Sequence, residues 1–134
     1  MIRARINEIL QKDGIHSVGF IAGGIKLRGV FLQLSSELKV GSEVYVGFKS
    51  TDVLLSREAL SGVSSENEIH GKIMSLSLGE ILCTLRFEGK ISFDVLISAH
   101  SAQELALREG DEVFAYISAT AIYTAIYIEK YDND

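Results

Sequence analysis

The sequence predicts an all-β protein made of two small barrels in tandem, and three observations lead there. The apolar residues fall in short runs rich in Val, Ile, Phe and Tyr, separated by twelve glycines and with no proline. That composition favours strands joined by tight turns over a helical bundle. The order of the runs also repeats once along the chain, most plainly where Gly41-Ser-Glu-Val-Tyr45 matches Gly110-Asp-Glu-Val-Phe114 without a gap, the mark of a repeated structural unit. Each half, finally, is too short to bury much surface as an open sheet, whereas closure into a barrel removes the exposed edges. The 134 residues, 47% of them apolar, suffice for the cores.

The elements follow in order. Ile2, Ile6, Ile9 and Leu10 have the spacing of an amphipathic helix. Yet Ile2-Arg-Ala-Arg-Ile6 aligns with Ile69-His-Gly-Lys-Ile73, where Gly71 is a poor helix residue, so both runs are read as strands. Next come two hairpins, Ile15 to Leu34 turning at Gly23-Gly24, and Ile81 to Ile97 turning at Gly89. Ser35 to Val40 and the longer Ser98 to Arg108 each open on polar residues and carry Leu, which predicts a short helix or helical turn. Strands then run from the repeated glycine motif to Thr51 and Thr120. The last apolar run, Ala121 to Ile128, is long for so small a barrel and is expected to cross to the other half or to another subunit. Glu129 to Asp134 is expected to fray. The expected division is 1–60 and 61–134, each a five-stranded barrel of the oligonucleotide/oligosaccharide-binding (OB) type with a short helical turn.

Composition excludes several functions. A net charge of −5 and a pI near 5.2 oppose a surface that tracks a nucleic-acid backbone, which needs clustered Lys and Arg. Phe20, Phe31, Phe87 and Phe93 could form a base-stacking face, but their apolar strands assign them to cores. The single cysteine, Cys83, sits in the apolar run Ile81 to Leu85 and reads as a buried hydrophobe in a reducing compartment. No segment is long enough to cross a bilayer, and the N-terminus does not resemble a signal peptide, so a cytoplasmic location is expected. His16, His70 and His100 show no metal-ligand spacing, and no Ser, His and acid arrangement suggests an enzyme.

One stretch carries a chemical reading: Lys49 to Asn67, KSTDVLLSREALSGVSSEN. Ser64-Ser-Glu-Asn67 opens the second half, Leu105-Ala-Leu-Arg-Glu-Gly-Asp-Glu-Val113 forms a turn, and the closing strand ends in Ala119-Thr120. Together these resemble the molybdate-binding Mop domain, also called the TOBE domain, in two tandem copies covering nearly the whole chain. The junction is also similar to the paired C-terminal domains of molybdate-transporter ATPases, although no phosphate-cradling glycine-rich motif is present.

The resemblance implies a non-enzymatic protein that binds molybdate or tungstate for intracellular storage, buffering or transport-linked homeostasis. It implies a homo-oligomer, dimer or trimer, and possible contact with a molybdate transporter. In the family a Ser-x-Arg-Asn segment and a Lys-Ala/Ser pair hold the oxyanion. Ser64 and Asn67, with Ser65 between them, match the first; Lys49 and Ser50 match the second. A tetrahedral dianion needs several donors and some positive charge, which hydroxyls, amides and an ammonium supply without a metal. This chain departs from the pattern at Glu66, which stands at the arginine position, and at Ser118-Ala119, which lacks the second lysine. Arg3 and Arg5 could supply charge from a neighbouring subunit. Set against this is a solvated lysine at a strand end and serines engaged in turn chemistry. The alternative function is a regulatory or protein-interaction module derived from such a domain, its anion site degenerate.

Overall fold

In the computed structural model, which describes residues 1–126, ten strands form two five-stranded antiparallel sheets. The first contains β1 (Ile2–Lys12), β2 (Ile15–Ala22), β3 (Ile25–Phe31), β4 (Glu43–Gly47) and β10 (Tyr123–Ile126), in the order β10-β4-β1-β2-β3. The second contains β5 (Leu54–Ser56), β6 (Asn67–Leu78), β7 (Leu82–Gly89), β8 (Ser92–Ser98) and β9 (Glu112–Ile117), in the order β5-β9-β6-β7-β8.

The helix-like spacing at the N-terminus is that of a bulged strand. Ala4 and Ile6 face inward at the strand period of two, and then the register of β1 against β2 slips between Ile6 and Glu8. The extra residue makes Ile9, opposite buried Val18, the next inward position. The second sheet does the same: Ile69 and Ile73 face inward, the register slips between Ile73 and Ser75, and Leu76 lies opposite buried Leu85. The repeated glycine motif docks beside each bulge. Gly41 donates to the Ile6 carbonyl at 2.8 Å and Gly110 to that of Ile73 at 2.7 Å. Both glycines have positive φ, 95° and 87°, which a side chain would strain.

The cores are built from equivalent positions. Ile6 and Phe20 face each other across β1 and β2, Ile73 and Phe87 across β6 and β7, and all four are fully buried. Phe87 stacks on Phe93 with centroids 4.6 Å apart. Phe20, Phe87 and Phe93 are thus committed to cores, and Phe31 is half-buried, meeting Phe20 edge-on.

Two expectations need correction. The closing strands end at Gly47 and Ile117, before Thr51 and Thr120. In each copy the chain then makes a 3-10 turn, Ser50–Asp52 and Ala119–Ala121, which pack against β8 and β3. These turns close each curled sheet at its free edge, giving two OB-like barrels. The helical turn forms only in the second copy, as α1 (Ala99–Glu104), where the Ser98 side chain caps the Ser101 amide at 3.0 Å. The shorter first-copy segment has room only for a turn, in which Leu38 donates to the Ser35 carbonyl at 3.1 Å.

The expected segments 1–60 and 61–134 each contribute to both compact units. The compact units are not two consecutive segments: one is Met1–Phe48 with the chain from Ala119 onward, the other Lys49–Ser118. The last short strand of each of the two sequence segments pairs with a strand of the other segment. β5, from the first copy, pairs with β9, and β10, from the second, pairs with β4. The expected crossing of the final run is therefore present; the expectation for Glu129 to Asp134 lies outside the described residues.

Candidate functional site

The Ser64–Asn67 segment begins with its tether. The linker after β5 is held by Arg57, which donates through Nη2 to the Ala106 carbonyl at 2.6 Å and to Asp111 Oδ2 at 2.9 Å, and through Nε to the Leu105 carbonyl. Farther along, the Leu60 amide donates to the Tyr116 hydroxyl at 2.7 Å, and that hydroxyl donates to Glu68 Oε2 at 2.8 Å. The Arg108 amide, followed by the Arg57 guanidinium, holds the Asp111 carboxyl below its usual range. Burial pushes the Tyr116 phenol up, helped by the Glu68 carboxylate and opposed by the Leu60 amide.

Asn67 opens β6 and is 1% exposed, the one polar side chain in the core among the described residues. Its Nδ2 donates to the Ile117 carbonyl at 3.0 Å, across the same β6–β9 pair in which the two residues are partners. Since Ile117 precedes Ser118-Ala119, the start of the Ser-x-x-Asn strand and the end of the closing strand meet here. Ser118 is half-buried and Ala119 buried. Two residues before Asn67, the Ser65 hydroxyl oxygen is buried and has no hydrogen-bond partner. A buried hydroxyl without a partner costs free energy. Ser64 and Glu66 are exposed.

Lys49 is exposed, and its carbonyl accepts the Asp52 amide at 2.9 Å, fixing the 3-10 turn that Ser50 begins. Ser50 lines a groove of about 420 Å³ with Ser75, Ser77, Thr84, Arg86 and Asp94; Ser64, Ser65 and Asn67 are not among its lining residues. Arg3 and Arg5 lie exposed on β1 beside a groove shared with Ile21 and Glu43, and Arg3 pairs with Glu43 at 3.5 Å. The expected residues thus fall at three places: Asn67 with Ser65 and Ser118, Ser50 with the β6–β8 groove, and the arginines on the other unit. Sequence reasoning missed Arg57, Tyr116 and Arg86. The pairing of Glu68 with Tyr116 was recoverable from aligning the strands; the other two depend on loop path and register.

Among the described residues there is no cluster of side chains that could hold a metal ion. No family model matches the sequence. The cytoplasmic molybdate-binding protein ModG, in a crystal form with molybdate bound, superposes with a TM-score of 0.86 over 94% of both chains. The fold is that of ModG. At 21% identity the likeness to ModG speaks for architecture, the two OB-like barrels included. The molybdenum transport protein ModE of Azotobacter vinelandii is 26% identical over 93 residues, 68% of this chain. The chain spans 34% of the length of that relative.

Proposed function

We propose that this chain is a two-copy Mop/TOBE-type protein that binds molybdate or tungstate in the cytoplasm without enzymatic activity, serving storage, buffering or transport-linked homeostasis. The observation that carries the proposal is the buried, unpartnered hydroxyl of Ser65 beside the immobilised Asn67, on a fold shared with a molybdate-bound protein. Lys49 supplies charge, Ser50, Ser64 and Ser65 supply hydroxyls, and amides around Ser64 to Asn67 add further donors. A neighbouring copy of the chain in a homo-oligomer completes the shell, and Arg3 and Arg5 are its available cations.

Equilibrium titration with molybdate, tungstate and sulfate tests this reading. The expected result is binding of the two larger oxyanions in preference to sulfate, weakened about tenfold by Ser65→Ala and by Lys49→Ala, the order expected for loss of a hydrogen bond to a charged group. Absence of binding to any of the three would overturn it. That outcome favours the second reading, an interaction module with a degenerate site, for which the acidic Glu66 at the arginine position is the motivating residue.

A further inference from the structure

The groove at Ser50 is assigned no role by the Ser64–Asn67 segment, yet its lining is chemically uniform. On the outer face of β6, β7 and β8 the registers place Ser75 beside Arg86 and Arg86 beside Asp94 in one row. Ser77, Thr84 and Leu96 form the next. The 3-10 turn that packs on β8 brings Ser50 over this face. Four hydroxyls therefore surround one guanidinium, and among the described residues none of the four is spent on a protein acceptor. Lys49 precedes Ser50 and is exposed.

We propose that this groove is an oxyanion subsite in its own right, separate from the Ser64–Asn67 segment, with Arg86 supplying its positive charge. The inference rests on the reading of the chain as an oxyanion binder and adds the residue that sets affinity at Ser50. Arg86 is held by Asp94 at 3.2 Å, with 45% of the arginine and 77% of the aspartate side chain exposed. An ion pair so exposed contributes little, so the guanidinium is free to turn its planar donors to a dianion, for which its geometry is suited. Ser75, Ser77, Thr84 and Ser50 then donate hydroxyl protons from the sides. Asp94 plays two opposed parts: it orients Arg86 in the empty groove, and it repels the anion once bound.

That opposition gives a test with two signs. Molybdate is titrated into the full chain and into Arg86→Gln, Asp94→Asn, Ser65→Ala and, as a charge control, Lys90→Gln in the β7–β8 turn. Far-UV circular dichroism and thermal midpoints check that each variant folds. The proposal expects Arg86→Gln to weaken binding about tenfold and Asp94→Asn to tighten it about threefold, with Lys90→Gln near wild type. If wild type binds and Ser65→Ala weakens binding, while Arg86→Gln and Asp94→Asn change it no more than Lys90→Gln, the groove is overturned and the oxyanion function stands. If wild type binds no molybdate, both fall.

Discussion

The amide of Leu60 donates to the phenolic oxygen of Tyr116 at 2.7 Å, fastening the loop between β5 and β6 to β9, the neighbour of the central strand of the second sheet. The same oxygen passes its own proton toward Glu68 on β6, so a single hydroxyl serves as acceptor and donor. Tyr116→Phe removes both bonds with almost no change of volume. A loss of about 1 kcal/mol is expected in chemical denaturation, with faster hydrogen exchange at the Leu60 amide than elsewhere in the sheet.

Asn67 contributes through its side-chain amide, which donates to the Ile117 carbonyl. In Asn67→Ala the Ile117 carbonyl loses its side-chain donor inside the core, and a cost of about 2 kcal/mol is expected from urea midpoints. Asn67→Asp is the harsher change, since a buried carboxylate would face that carbonyl with no proton to give. It should be the less stable of the two at neutral pH and recover partly on acidification.

Asp111 makes stability depend on acid. Its carboxyl is held below the usual range in the folded chain by the Arg108 amide and Arg57, so the folded state binds a proton less readily than the unfolded one. The contribution is complete above the ordinary aspartate pKa, about 3.9, and is lost as the pH falls through the lowered value. Asp111→Asn should flatten the pH dependence of the thermal midpoint in that acid window and leave Arg57 bound chiefly to the Leu105 and Ala106 carbonyls.

Gly71 has no room for a side chain. A Cβ there would come within 2.5 Å of the Glu88 carbonyl oxygen and the Phe87 ring. Gly71→Ala is expected to cost about 1–3 kcal/mol by overpacking. The matching position of the first sheet, Ala4 opposite Val44 as Gly71 is opposite Val113, already carries a methyl group. Calorimetry of Gly71→Ala beside the wild type reads this cost.

Cys83 is fully buried and unpaired with another cysteine, and burial pushes its thiol up. Only the thiolate attacks a disulfide reagent. The native protein should therefore stay unreactive at pH 8 toward an aromatic disulfide and release one equivalent when denatured.

Strand content was legible because inward and outward residues alternate on either side of each bulge. The bulge was not, since Ile6 to Ile9 is equally a helical step until β2 supplies its register. The Gly-x-Glu-Val turns could be read because only glycine takes their backbone angles without strain. At the site, Ser64, Ser65 and Asn67 could be named from their pattern. The burial of Ser65 could not, because serine before a strand is ordinary turn chemistry. Arg86 joins Ser50 only through pairings among three strands and a 3-10 turn, which no local window of sequence contains.

The pairing of β5 with β9 and of β10 with β4 bears on how such a chain could be divided. A cut between residues 57 and 66 would separate β5 from the sheet it completes and leave each fragment carrying a strand that completes the other's sheet. Expressed singly, the first fragment would expose the flank of β4 that β10 covers, and the second the flank of β9 that β5 covers. Bare flanks of this kind recruit whatever strand is at hand. Mixed together, the fragments should reassemble by mutual repair, and kept apart each should self-associate. The two segments on either side of the cut would then depend on each other for complete sheets while remaining parts of one polypeptide.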